Sequence, residues 1–382
     1  MVEGLVFFGI VLGRGRIGVS GDDALAAVFG KAKAAVRIPA VVVVEPGSTG
    51  YNHCVTMGRS RSVDGPYEGD PKNPIVTSAP NESNERADAD HLKPRYFNPD
   101  SVLQKSGHGS YVITPGGKTY LVHLTSRPFV PELRCTLGRE TAIQKMCWTD
   151  DGWLRMADGS NLAKTEVEEP NLPDCPLPVP APLNDFDEPA LRRGWYAPRI
   201  APETFIDLAS RPGYLRMRGQ EAQTSLNRAS ILCRKLTSLH TQVTAKMDFH
   251  PEIWQHSAGL ILYYDNMNYL YLRKYYSQTL GQSALSLIYL ENGEKKEVPG
   301  TRTPVGEGEL WLRLTVEERS TGFAWSADGE NYAPIGPVFD TSKFSDEYCK
   351  FGEFTGTMVG ITCTDGVLRR KTADFDFFEM RR

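Results

Sequence analysis

Prolines stand at positions 170, 173, 176, 178, 180 and 182 of this 382-residue chain, in the stretch PNLPDCPLPVPAP. Nothing else in the sequence restricts the fold as sharply. Each proline fixes φ and removes a backbone donor, so the stretch can be neither a helix interior nor a central strand. It reads as an extended, stiff connector over 170–183, and the chain as two bodies that it joins.

Both bodies read as β-structure. Ahead of the connector, Lys118 to Leu124 (KTYLVHL) and Ala142 to Trp148 alternate or run apolar, with Gly-Gly and Asp-Asp-Gly turns nearby. Behind it, strands are expected at 214–218, 242–249, 258–264, 269–275, 284–289, 310–317, 322–326, 357–362 and 373–378. That number and spacing predict a sandwich or barrel. The tyrosines at 263, 264, 269, 271, 275 and 276 could form a flat platform for a sugar, but alternating aromatics in a sandwich read more simply as core and cross-strand pairs.

With 40% hydrophobic residues the chain can bury a sizeable core, and its formal charge of −4 gives no electrostatic reason to bind nucleic acid or an anionic membrane. A neutral ligand is compatible. Cys54, Cys135, Cys147, Cys175, Cys233, Cys349 and Cys363 show no CxxC pair or zinc spacing, so free thiols are expected and not a disulfide framework. The apolar run Leu5 to Leu12 follows Glu3 and precedes Arg14 and Arg16, without the basic start and small-residue cleavage site of a signal peptide. A cytoplasmic location is expected from this, or an extracellular one if the native N-terminus lies elsewhere. No run approaches the roughly 18 apolar residues of a membrane span.

Several motifs carry a family resemblance. The strand LWLRLTV at 310 feeds GFAWSADGENYAPI, whose Asp-Gly pair suits a tight turn. Together with NDFDEPAL at 184, RPGYLRMRG at 211, SAGLILYYDNMNYLYLR at 257, FTGTMVGI at 354 and ADFDFFEM at 373, it is similar to the concanavalin-A-like C-terminal sandwich of glycoside hydrolase family 43 β-xylosidases. GHGSYVITPGGKTYLVHLTSRP at 107, LGRETAIQKMCWTDDGW at 137 and EPGSTGYNHCVTMGRSRSVDGPYEG at 45 resemble that family's five-bladed propeller. The fold expected is therefore all-β, a partial five-bladed β-propeller followed by a β-sandwich of jelly-roll type. Its divisions are 1–44 unassigned, 45–169 the C-terminal part of the propeller, 170–183 the linker and 184–382 the sandwich, which is expected to fold alone.

The resemblance also implies chemistry. The family's enzymes release xylose or arabinofuranose from oligosaccharides in hemicellulose breakdown, with inversion, which needs one protonated carboxyl and one carboxylate. The Glu-Gly-Pro-His motif that carries the general acid is expected shortly before Glu45 and is not found there; Val2-Glu3-Gly4 is only an echo of it, and Asp22-Asp23 reads as a helix cap. The catalytic pair is thus unassigned, and the chain is expected to be crippled or inactive, or else to be a non-catalytic carbohydrate-binding protein. His108, between Gly107 and Gly109, is implied to face the propeller axis near a water or a calcium ion, with a hydrogen-bonded loop histidine as the alternative. Arg139 is implied to grip sugar hydroxyls, for which a planar five-donor fork is well shaped, or else to pair with Glu140 or Glu166. Glu45 and Phe354 are further implied substrate contacts, Thr49 and His53 weaker ones, His53 reading equally as a core residue on a strand. The expected partners are xylo- or arabino-oligosaccharides, and an open propeller edge would favour homo-oligomers.

Overall fold

A computed structural model describes residues 50–62, 64–79, 97–176, 179–350 and 355–382, with the backbone alone of 40–44. Glu3, Asp22, Asp23, Glu45, Thr49 and Phe354 lie outside the described residues. The chain forms two units, Met1–Arg127 with Glu140–Asp174, and Pro128–Arg139 with Cys175–Arg382. No helix among the described residues is long and apolar enough to cross a membrane.

The first unit is built from antiparallel meanders. Strands Gln104–Ile113, Thr119–Ser126, Glu140–Trp148 and Leu154–Met156 pair each with the next, the arrangement of a propeller blade. A second sheet pairs Ala40–Val44 with Cys54–Ser60, in the register Ala40↔Ser60, and adds the short strands Glu68–Gly69 and Val76–Thr77. Alternation along the strands sends Val55, Met57 and Val76 of one sheet and Leu121, Met146 and Leu154 of the other into one apolar cluster with Ile75, Trp153 and Met156. The chain beyond the blade returns to tie the two: Thr77 N donates to Asn161 O (2.8 Å) and Ala163 N to Thr77 O (3.0 Å).

The second unit is a sandwich. One sheet has at its centre strands Leu215–Arg218, Thr372–Arg381, His240–Asp248, Glu309–Glu317 and Ser320–Ser326; the other runs Ser230–Lys235, Met358–Asp365, His256–Asp265, Asn268–Ser277, Gln282–Glu291 and Glu294–Glu297. Glu309–Glu317 alternates buried and half-buried positions, the sign of a strand with one face on the core. His256–Asp265 is buried on both faces, because Tyr263, Tyr269 and Tyr271 join Ile231, Ile261, Ile288 and Leu290 in a second cluster on the outer side of its sheet. The tyrosine run is thus packing, Tyr263 and Tyr269 stacking at 6.4 Å and Tyr264 facing the inter-sheet core. The Asp-Gly turn forms as its chemistry demands: Gly329 takes φ +81° against the Trp311 ring, and Asp328 accepts the backbone N–H of Glu330 and of Asn331 (both 2.8 Å).

One boundary differs from the sequence reading. Residues 128–139 sit between two blade strands in sequence, yet they belong to the sandwich unit. Leu137 enters the core of that unit, Thr136 Oγ1 donates to Thr341 O (3.0 Å), and Arg319 pairs with Glu132 (2.7 Å) and stacks on Phe129. The excursion leaves and re-enters the first unit between Arg127 and Glu140, which pair at 2.7 Å. A piece cut at 184–382 therefore lacks part of its own core. All seven cysteines are free, five of them buried, consistent with the absence of a disulfide framework.

Leu137→Ala should lower the stability of the second unit by about 2–5 kcal/mol, the cost of deleting a buried leucine side chain. Hydrogen exchange at Met358–Asp365 in a urea series measures it. Unchanged protection there would show that the core closes without the excursion.

Candidate functional site

The Gly-His-Gly motif is shaped by space. A Cβ on Gly107 would fall within 3.0 Å of the His53 ring, and one on Gly109 would meet Val55 at 3.0 Å and Leu121 at 3.2 Å. Only hydrogen fits at the first, and little more at the second. Between these close approaches His108 projects outward, exposed, at φ +53°, three residues after Lys105 at φ +56°. Two register breaks flank them, between Gln104 and Gly107 and between Gly107 and Ser110. Left-handed backbone in side-chain-bearing residues costs about 1–3 kcal/mol and gathers at functional sites, where bulges re-aim side chains.

His53 lies just before strand Cys54–Ser60, fully buried, its Nδ1 3.0 Å from Lys105 O. A second buried histidine, His123, lies close enough for the two to interact electrostatically. Gln144 fixes the state of His123: its Oε1 accepts Lys164 N (3.2 Å) and its Nε2 donates to Lys164 O (3.1 Å), so the amide cannot turn over. The same Nε2 donates to His123 Nε2 (3.1 Å), and His123 Nδ1 donates to Leu124 O (3.0 Å). That pattern accommodates only neutral imidazole. Burial first, and His53 as well, hold the His123 pKa below the usual histidine value.

Arg139 closes the excursion of the second unit. Its guanidinium is nearly buried, with Nε 3.9 Å from Asp346 Oδ2, a carboxylate only 1% exposed. Among the described residues Asp346 is a carboxylate beside Arg139, and Glu140 turns instead to Arg127. Asp346 Oδ1 accepts the Tyr264 hydroxyl, and Lys235 Nζ donates to Arg139 O (2.9 Å). No sequence signal marks Asp346, Tyr264 or Lys235: two are strand and loop positions of ordinary type, and the third belongs to a tyrosine run explained by packing.

Four carboxylates described in the first unit are engaged in ion pairs. Asp70 pairs with Arg155, Glu68 with Arg59, Asp158 with Lys164, and Glu168 with Lys118 and Lys145. Hydrogen bonds from Lys118 and then Lys145 hold Glu168 down at about 2, and Lys164 lowers Asp158. Glu168 and Asp158 are thus held as anions, the opposite of a poised general acid. Among the described residues no group of three or more His, Cys, Asp or Glu side chains is placed to hold a metal.

A propeller-type blade sheet and a two-sheet jelly roll define a class of modular all-β proteins. Residues 184–381 match the β-xylosidase C-terminal concanavalin A-like domain, and 43–154 match the glycosyl hydrolases family 43. The chain belongs to glycosyl hydrolase family 43, among its members with that C-terminal domain. It is 35% identical to xylosidase/arabinosidase 43B of Humicola insolens, over 88% of this chain and 60% of that protein. It is 31% identical to the β-xylosidase of Bacillus subtilis (strain 168), over 88% of this chain and 62% of that one. The crystal structure of xylan β-1,4-xylosidase from Bacillus halodurans C-125 aligns with a TM-score of 0.82 at 38% identity, covering 91% of this chain and 64% of that chain. The chain thus spans about 60% of the length of these curated relatives.

Gly107→Ala should unfold or severely loosen the first unit while sparing the second; hydrogen exchange on both reads this, and a native pattern in Thr119–Ser126 would disprove the packing argument. The first unit should also be acid-sensitive. Because the His123 pKa is lower folded than unfolded, the unfolded state takes up the proton first as pH falls through about 6.5. Stability is full above that pH and declines below it, by at most about 1.4 kcal/mol per pH unit. His123→Gln should flatten the slope between pH 7.5 and 5.5 in urea melts at fixed pH.

Proposed function

We propose that this polypeptide is a family 43 glycosidase module for xylo- and arabino-oligosaccharides, with Arg139 holding sugar hydroxyls, and that the 382 residues alone hydrolyse them weakly or not at all. The observation that carries the reading is the succession of two family matches, 43–154 and 184–381, along one chain. The names of its relatives, xylosidases and arabinosidases, support the substrate class.

Weak turnover follows from the carboxyl chemistry. Inverting hydrolysis needs an acid of raised pKa and a carboxylate with room for water opposite it. The 382 residues contain no Glu-Gly-Pro-His; in the first unit Asp70 and Glu68 are paired with arginines, and lysines lower the pKa values of Asp158 and Glu168. General acid and base assistance contribute about 10²–10⁴-fold each, so their loss removes several orders of magnitude. Binding has a separate basis, because an arginine fork recognises hydroxyls without any proton transfer.

Turnover of aryl β-xylosides and α-L-arabinofuranosides by the purified chain should lie at least about 10⁴-fold below that of a full-length family member. A rate within tenfold of such an enzyme would refute the reading, since carboxylates outside the described residues would then be doing the chemistry.

A further inference from the structure

Arg139 ends an excursion whose backbone is fixed independently of its side chain. Cys135 N donates to Glu347 Oε2 (2.8 Å), Thr357 N to Thr136 O (3.0 Å), and Lys235 Nζ to Arg139 O (2.9 Å). Gly138, at φ +69°, lies so close to Gly356 that an added Cβ would stand 2.6 Å from its Cα. The Arg139 Cα is therefore held on both sides. Beyond that fixed backbone extends a long side chain with four torsions, whose orientation depends on the charges around it.

Asp346 supplies that charge. Its Oδ2 is 3.9 Å from Arg139 Nε, and the two side chains are 1% and 9% exposed, so the pair is almost wholly desolvated. The carboxylate is itself oriented, because Oδ1 accepts the hydroxyl of Tyr264 near the end of strand His256–Asp265. Burial keeps that phenol protonated and hence a donor. Desolvated ion pairs add little net stability, but removing one partner strands the other charge. Their effect is geometric: a carboxylate gripped from the far side is a fixed charge beside Nε and favours guanidinium orientations that keep Nε toward it.

We propose that Asp346, oriented by Tyr264, is the positioning residue that sets the Arg139 guanidinium for binding sugar hydroxyls. The inference rests on the reading of Arg139 given under Proposed function, and it adds that a residue of the sandwich sequence, some two hundred positions downstream, tunes that contact. Asp346 touches no substrate in this scheme and acts through Arg139 alone.

The test is D-xylose binding by calorimetry to the full chain and to Asp346→Asn, Tyr264→Phe, Arg139→Ala, the Asp346→Asn/Arg139→Ala double variant and Asp340→Asn. Asp340 pairs with Arg134 at 3.7 Å on the same excursion, so its variant loosens the excursion without touching Arg139. Asp346→Asn should weaken xylose binding roughly tenfold and Tyr264→Phe about threefold, Asp340→Asn should change it less than about twofold, and Asp346→Asn should add nothing once Arg139 is alanine. If Asp346→Asn does not fold, Tyr264→Phe, which leaves both charges in place, decides the matter. Arg139→Ala weakening binding while both Asp346→Asn and Tyr264→Phe leave it unchanged overturns the positioning role alone. Equal weakening by Asp340→Asn, or further weakening by Asp346→Asn on top of Arg139→Ala, overturns it as well. Intact binding in Arg139→Ala, or none in the unmodified chain, defeats the sugar reading of Arg139 and this inference with it.

Discussion

Two glycines meeting backbone to backbone govern the second unit. A Cβ on Gly138 would stand 2.6 Å from Gly356 Cα, and one on Gly356 would stand 2.8 Å from the Leu137 carbonyl carbon. Neither position has room for a side chain, and Gly138 also needs the left-handed backbone that glycine adopts without strain. With the main chains in contact, Leu137 reaches the core and Arg139 comes beside Asp346. Separating them would empty a core site and leave two desolvated charges apart, so packing and electrostatics share one steric condition.

Charge is distributed in two ways through the molecule. In the first unit Glu168 and Asp158 are half-buried or exposed, where their pairs with lysine contribute little stability but lower their pKa values, whereas Asp70 is buried against Arg155. In the second, Arg211 and Arg216 converge on Asp374, and Lys246 on Glu309 and Asp376, along the outer face of one sheet. Burial opposes the ionised form of Asp374, and the two arginines outweigh it, so its pKa ends below the usual value. Asp265, the last residue of strand His256–Asp265, is the opposite case: burial dominates its hydrogen bonds from Met267 and Asn268 and raises its pKa. Among the described residues the carboxyl with weakened acidity thus lies in the sandwich.

Regular strands were readable because their signal is local. The alternation in 310–317, the apolar runs at 258–264 and 269–275 and the Asp-Gly turn at 328 each carry their own periodicity or turn chemistry, and each forms where expected. The edge strand Ser230–Lys235 and the short strands Thr303–Pro304 and Ala333–Pro334 carry too few residues to show a period. The assignment of 128–139 to the sandwich was not legible, since it depends on what Leu137 and Gly138 touch two hundred residues away. Arg139 was singled out from its motif, but its partner was sought among neighbours in sequence, Glu140 and Glu166, whereas Asp346 lies in the distant loop. The sequence reads His53 equally as core or site, and its burial against Gly107 makes its position interior.

The fit of Gly107 against the His53 ring has a bearing on how the family signature should be read. Gly107 and Gly109 are required by the volume between three strands, whatever His108 does. A chain that lost its acid and base would still need both glycines to fold, while nothing in the packing would defend the lost carboxyls. The signature most useful for recognising kinship is therefore a record of steric necessity. It reports that the blade closes, and it is silent on whether a glycosidic bond is ever broken there.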